Sequence, residues 1–491
     1  MWDVSIRGGR RAWQAPTLAL TIACLAWWST PARADGVTIS CVTANAENIA
    51  AGLATSAGYT IGVGIEPTTG ALSVSNNTLQ LPPNGVICVS QVTCATSSRS
   101  LTFARNAANT PVYLLVEGNV TLASASCGVD VSGTSQNTRF GLGMDRIGGR
   151  GGPGGSDGGS CDFQHAVFNR AGEGVGPGGG RFHTYGTDAV GPGGGGASPI
   201  ADGGPGYSDP ANNLFGAAGG VRYSAFDHRI LHGGSGGACG ANGITPSTWH
   251  GGGGGGGVLV LGVGGTVNLS HSSSYLRARG GQGSTWGGGG GGGVIRIVAD
   301  VVMGNGLLQA DGSNGITTCG TSAVRGGCGG HGMVKIEAPD GGATGNLLSN
   351  VSPPEALHFG VPQAIVPQAR PTLAVATVTA TWNQSQQTVA PLQLNPAEHV
   401  HTSAGVFLEA PSPEQTVTIT LSSMNVPHTA PVWVRMNVLG HPSVLVAAST
   451  AGEGTGPLTW TASHAVPAGM ELGTIEAWIE NVCTPGSPGC P

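Results

Sequence analysis

The sequence predicts an all-β protein: a short parallel β-helix with an inserted glycine-rich, polyglycine-II-like region, followed by an immunoglobulin-like β-sandwich. Three observations carry that expectation. Residues 251–257 and 287–293 are uninterrupted glycine runs, and each leads at once into a β-branched segment, 258–261 and 294–297. That segment recurs without a glycine run at Val112 and, after a shorter glycine cluster, at Met333. The last third of the chain alternates apolar and polar residues at the period of a strand. Glycine loses more backbone entropy on ordering than any other residue, so such runs imply that bare backbone is the building material.

The chain has 491 residues, enough for two or three domains, and 89 of them are glycine. About three-quarters of the glycines lie between Gly141 and Asn350. Glycine this dense without a G-X-Y period ordinarily marks low complexity, yet here it alternates with strongly apolar segments. The net charge is -6 and no basic block occurs, which argues against a nucleic-acid partner. Lys335 is the only lysine among 20 basic residues.

Residues 1–34 read as a signal peptide. Arg7, Arg10 and Arg11 precede an apolar stretch at 15–28, and Ala32-Arg33-Ala34 offers a small-x-small cleavage site. Cleavage near Ala34 implies a secreted product, extracellular or at the bacterial cell surface. Ten cysteines follow: Cys41, Cys88, Cys94, Cys127, Cys161, Cys239, Cys319, Cys328, Cys483 and Cys490. An even number in a secreted chain reads as disulfides. Spacing suggests Cys88–Cys94, Cys319–Cys328 and Cys483–Cys490 as local loops and Cys127–Cys161 over a longer span, without fixing the connectivity. No later stretch reaches membrane-spanning length, so no transmembrane segment is expected.

Residues 35–140 are expected to form the N-terminal cap and first coils of the β-helix, the cap built around Leu72, Val74, Leu79, Leu81, Val86, Ile87, Leu101 and Phe103. Self-comparison sets Val112 against Val258 and Gly128 against Leu276, while Leu308 takes the same place in the next copy. One such unit cannot bury its apolar face alone, but stacked units share a core. Within a unit, Val267 and Leu269 should point inward and Thr266, Asn268 and Ser270 outward.

The insertion, residues 141–250, has a Gly-Gly-x texture, as in Gly151-Gly152-Pro153-Gly154-Gly155. Polyglycine adopts an extended helix of three residues per turn. Such helices can lie side by side, their backbone groups bonding between neighbours and so meeting the demand of every buried N–H and C=O. Coils with the glycine runs resume over 251–338, and 339–371 reads as a linker. Residues 372–482 hold seven β-patterned segments: 373–382, 404–410, 415–424, 431–439, 444–449, 458–463 and 474–482. That number and spacing suit an immunoglobulin-like sandwich, although the Cys…Trp…Cys signature of antibody domains is missing. Trp433 and Trp460 read as core or edge aromatics. Residues 483–491 form a tail.

The order of these motifs carries a resemblance: Asn119-Val120-Thr121-Leu122, then Gly151-Gly152-Pro153-Gly154-Gly155, Gly176-Pro177-Gly178-Gly179-Gly180, Gly233-Gly234-Ser235-Gly236-Gly237, the two glycine runs and Met333-Val334-Lys335-Ile336-Glu337-Ala338. The chain resembles a group of secreted, largely uncharacterised glycine-rich bacterial surface proteins that end in an immunoglobulin-like module. The likeness covers most of the mature chain, rests on compositional motifs and brings no catalytic residues with it. The polyglycine texture alone is also similar to that of phage tail-tip adhesins, in which a glycine-rich scaffold displays receptor-binding loops.

Little in the sequence points to chemistry. Gly233-Gly234-Ser235-Gly236-Gly237 matches the nucleophile-elbow pattern but lacks its strand–turn–helix context. His228 and His232 beside Asp227 lack a third metal ligand of matching spacing, and His399 and His401 read as solvated. No cofactor, metal or catalytic residue is assigned. A polysaccharide lyase or glycoside hydrolase needs convergent acids, or an arginine with acidic partners. Asp130, Arg277, Arg279, Arg296, Asp300 and Asp311 are its candidates, and the repeat as aligned does not bring them to one face. The expected role is therefore structural or adhesive. Aromatic-bearing loops with Phe182, His183, Tyr185, Tyr207, Phe215, Tyr223 and Phe226 would contact polysaccharide or a cell surface.

Overall fold

The computed structural model describes residues 71–74, 77–82, 85–106, 109–135, 147–161, 172–182, 184–185, 189–209, 216–223, 231–241, 249–313, 325–339, 342, 346–360, 372–382, 385–389, 392–395, 401–405, 414–424, 426–438, 444–454, 456–466 and 472–479. Among them the regular structure is strand, with two short 3-10 turns and no α-helix. Eight strands precede the insertion: β1 (Ala71–Ser73), β2 (Asn77–Gln80), β3 (Val86–Val89), β4 (Gln91–Cys94), β5 (Ser100–Ala104), β6 (Val112–Val116), β7 (Val120–Leu122) and β8 (Gly128–Asp130). Among its described residues the insertion holds the two-residue strands β9 (Thr184–Tyr185), β10 (Ala189–Val190), β11 (Gly240–Ala241) and β12 (Trp249–His250). Then come β13 (Val258–Leu269), β14 (Tyr275–Arg277), β15 (Val294–Gly304), β16 (Leu307–Gln309), β17 (Met333–Glu337), β18 (Val351–Ser352) and β19 (Leu357–Gly360).

β9 with β10 and β11 with β12 form two small antiparallel pairs, and the other strands make two parallel sheets. The first runs β1-β4-β7-β13-β15-β17-β19, with β6 also pairing β13 and β3 pairing β6, and the second runs β18-β16-β14-β8-β5-β2. The chain visits the first sheet and then the second in each unit, so equivalent residues of successive units stack in register. Leu259, Leu261, Val267, Leu269 and Leu276 of one unit lie against Ile295, Ile297, Val302 and Leu308 of the next, all 0 % exposed. Over 258–261 the alternate residues are buried as well: Val258 and Val260 pack with Tyr113, Leu115, Val294 and Met333 on the other side of the sheet. A strand covered on both faces reads as a continuous apolar run.

Two expectations change here. The segment expected as a cap supplies β1 to β5, which pair in parallel with the later strands and extend both sheets. Residues 346–360, within the expected linker, supply β18 and β19, and Leu347 is fully buried. Strands of two to five residues leave too little alternation to stand out from a Pro- and Gly-rich composition.

The glycine run 251–257 bonds with a period of three. Gly252, Gly255 and Val258 donate to the carbonyls of Gly159, Ser156 and Pro153; Gly253 and Gly256 to Gly288 and Gly291; Gly254 and Gly257 to Thr134 and Val131. The run 287–293 repeats the pattern, with Gly288 and Gly291 donating to Ala238 and Ser235, Gly289 and Gly292 to Gly327 and Gly330, and Gly290 and Gly293 to Gly281 and Ala278. Each run thus serves three neighbours in turn, and all 14 glycines are buried. A Cβ on Gly255 would fall on the carbonyl of Gly234, and one on Gly290 on that of Gly254. Only glycine lets backbones approach so closely.

The remaining strands form one antiparallel sheet, β20 (Thr372–Trp382), β21 (Ser385–Val389), β22 (Leu392–Asn395), β23 (His401–Gly405), β24 (Gln415–Met424), β25 (Val432–Val438), β26 (Val444–Thr450), β27 (Leu458–Val466) and β28 (Leu472–Ile479), in the order β21-β20-β24-β27-β26-β25-β28-β23-β22. Among the described residues it has nine strands where seven were expected. The two added ones are its edges, and β21 (Ser-Gln-Gln-Thr-Val) is polar and largely exposed, as edge strands tend to be. Trp460 is 2 % exposed and donates from Nε1 to Ser423 Oγ at 2.8 Å, which bears out its reading as a core aromatic.

This sheet docks on the glycine region. Arg435 and Glu476, 1 % and 3 % exposed, pair at 3.1 Å; Arg435 Nη2 also donates to the Pro177 carbonyl at 2.7 Å, and Gly176 N–H donates to Glu476 Oε1 at 3.1 Å. Gly176 has φ +105, a conformation other residues avoid. Burial pushes the Glu476 carboxyl up and the Arg435 guanidinium down, each opposed by its partner's charge.

Two disulfides are described, Cys94–Cys127 and Cys161–Cys239. They overturn the expected Cys88–Cys94 and Cys127–Cys161 pairs. In-register stacking brings Cys94, which ends β4, beside Cys127, which precedes β8, whereas sequence proximity had favoured a local loop. Cys88 and Cys328 are also disulfide-bonded, and the expected Cys483–Cys490 pair and Cys319 lie outside the described residues.

Candidate functional site

Parallel pairing aligns one outward row across the second sheet. Residues 101, 129, 276, 308 and 351 point into the core, so their neighbours Thr102, Asp130, Arg277, Gln309 and Ser352 point out. Thr78 extends the row, its hydroxyl 2.8 Å from that of Thr102. Ser132, Arg279 and Asp311 begin a second column beside it, with Ala278 and Ala310 between the columns buried in the core.

The side chains interlock. Arg277 Nε donates to Gln309 Oε1 at 2.6 Å, and its guanidinium lies 3.7 Å above the ring of Tyr275. That ring, 6 % exposed, occupies the space where Gly128 has no side chain. Arg279 Nε is 3.3 Å from Asp311 Oδ2, and Ser352 Oγ donates to Asp311 Oδ1 at 2.6 Å. Asp130 Oδ1 accepts the Ser132 N–H at 2.8 Å, and Ser132 Oγ accepts the Arg279 N–H at 3.0 Å. Arg277, Gln309, Asp130, Ser352 and Arg279 are half-buried, the Arg279 side chain being 43 % exposed. The row can therefore offer donors and acceptors of fixed orientation to a ligand outside.

Four of the six residues that sequence reasoning left scattered are thus neighbours on one face. The offset between the first full unit and the next is 147 residues, as the contacts Asn119–Thr266, Ser126–Ser273 and Ser132–Arg279 show. Asp130 accordingly pairs with Arg277, whereas the alignment of Gly128 with Leu276 had set Asp130 against buried Ala278. A slip of one residue moves every side chain to the other face.

The other two candidates lie elsewhere. Arg296 is 3 % exposed on the covered side of the first sheet, where it grips Glu337 through Nε at 3.0 Å and Nη2 at 2.8 Å. Lys335, 4 % exposed, completes the cluster with Nζ 2.7 Å from Glu337 Oε1. Asp300 is half-buried further along β15.

The aromatic loops fare differently. Tyr223 is 7 % exposed and donates its hydroxyl to the Gly233 carbonyl, so it supports the glycine region and is not open to a ligand. Burial pushes its hydroxyl pKa up. Phe182 packs against the Cys161–Cys239 disulfide and Ala241. Tyr207 is half-buried, and its N–H donates to the Arg325 carbonyl at 2.7 Å. Tyr185 lies on β9, which pairs with β10. His183, Phe215 and Phe226 lie outside the described residues, as do His228 and His399.

Among the described residues no group of three or more His, Cys, Asp or Glu side chains could hold a metal ion, and no helix is long and apolar enough to cross a membrane. No family model, no curated protein and no solved structure matches the chain.

Proposed function

We propose that the protein is a secreted, non-catalytic surface or extracellular-matrix protein that binds glycans, with the outward row of the second sheet as its contact surface. In this reading the paired parallel sheets are the coils of a short β-helix. The period-three glycine network is polyglycine-II packing, and the antiparallel sheet is an immunoglobulin-like sandwich. The row of Thr102, Asp130, Arg277, Gln309 and Ser352 carries the proposal. A hydroxyl-rich polymer lying across the strands meets a polar group at each step of about 4.8 Å. Side chains already locked by their neighbours lose little entropy when they bind.

The second reading is a β-helix polysaccharide lyase or glycoside hydrolase, favoured by the meeting of Asp130, Arg277, Arg279 and Asp311. Their arrangement suits it less well. Asp130 and Asp311 lie two strands and two residues apart, roughly 12 Å between Cα atoms from sheet spacings. Asp311 is engaged by Arg279 and Ser352. Paired carboxylates of glycosidases flank the bond they cleave, whereas both Asp311 oxygens face its own neighbours.

The test is a panel of soluble polysaccharides offered to the mature protein, with binding and new reducing or unsaturated ends read from the same preparation. Binding without new ends is expected. Cleavage of any polymer, or no binding to glycan, cell surface or matrix polymer, would overturn the proposal.

A further inference from the structure

Arg277 and Arg279 lie two residues apart on one face, about 6.6 Å between Cα atoms. Each is held through its inner nitrogen: Arg277 Nε by Gln309 at 2.6 Å, and Arg279 Nε by Asp311 at 3.3 Å. The Tyr275 ring fixes the plane of the first, and Ser352 fixes the carboxylate that holds the second. The Nη groups of both have no partner among the described residues. A guanidinium anchored in this way presents a planar pair of donors that matches the two oxygens of a carboxylate.

We infer that this site, on the glycan-binding reading above, takes acidic polysaccharides whose uronate carboxylates seat on the Nη edges of Arg277 and Arg279. Asp130 sets the limit of the seat. It is the cross-strand neighbour of Arg277, closes no ion pair with it, and turns one oxygen to the Ser132 N–H. Its charge repels a ligand carboxylate on that side and steers it toward Arg279.

The probe is polygalacturonate, compared with the same polymer methyl-esterified, which keeps the hydroxyls and removes the charge. Charge-assisted hydrogen bonds of this kind correspond to about tenfold or more in affinity each. Polygalacturonate should bind at least about tenfold more tightly than its ester. Arg277→Gln and Arg279→Gln should each remove about tenfold of that binding. Arg222→Gln, at an exposed arginine in the glycine region, should leave it unchanged, and Asp130→Asn should strengthen it. Thermal unfolding of each variant verifies the fold. Equal binding of the free and esterified polymers, or unaltered binding by both arginine variants, overturns the inference while the glycan-binding reading stands. If no polysaccharide of any charge binds, both fall.

Discussion

Glu337 is fully buried between Arg296 and Lys335, the chain's one lysine, on the covered side of the first parallel sheet. Burial works to raise its pKa, but the hydrogen bonds and charges of Arg296 and Lys335 outweigh that and hold it below the usual glutamate range. A carboxylate whose folded pKa is depressed adds stability that is complete above the unfolded value, about 4.3, and lost as pH falls through the folded one. Glu337→Gln strands two buried cations and should cost about 3–5 kcal/mol at neutral pH by denaturant titration. The same variant should show a shallower loss of stability on the acid side than the parent. Nothing in the sequence around Lys335 announces this cluster, because it depends on which side of the sheet the glycine region covers. Tyr223 misled for the same reason: an aromatic among glycines reads as a displayed side chain, yet the surrounding backbones close over it.

At the scale of elements, the glycine runs were readable as frame because each abuts a strand, and their backbone groups bond to three neighbours with a period of three. Register was less readable. The two units differ in sequence at most outward positions, and apolar runs such as 112–116 and 258–261 look alike when shifted by one. The cross-strand contacts at an offset of 147 residues remove that ambiguity. Asn119 Oδ1 accepts the Thr266 N–H at 2.8 Å, a bond that exists only in the observed register. The network also predicts where alanine is tolerated. Gly255→Ala meets a backbone carbonyl that has no rotamer to yield, so its cost should exceed the roughly 1–3 kcal/mol of ordinary overpacking. Gly456→Ala, with nothing within 4 Å, should change stability by less than about 0.5 kcal/mol in the same denaturant titration.

Across the molecule, the C-terminal sheet had read as a module set apart by a linker, whereas Arg435 and Glu476 tie it to Gly176 and Pro177. The second ion pair, Arg181 with Glu173 at 3.1 Å, adds its charges to the same interface. Glu476→Ala leaves Arg435 buried without its carboxylate and should cost about 3–5 kcal/mol. Calorimetry should then show the C-terminal sheet unfolding ahead of the parallel sheets. No sequence motif marks this contact, since each partner is ordinary alone and they stand some 300 residues apart.

In the proposed function, a rigid frame of parallel sheets and glycine backbone presents the row across Asp130, Arg277 and Gln309 to a glycan. Arginine-directed dicarbonyl footprinting, read residue by residue by mass spectrometry with and without a bound polysaccharide from the panel, tests it most directly. Protection of Arg277 and Arg279, with Arg150 and Arg222 modified as fast as in the free protein, is the predicted result. Protection of Arg222 or Arg150 while Arg277 and Arg279 react unchanged would contradict it, and would return the contact surface to the loops of the glycine region.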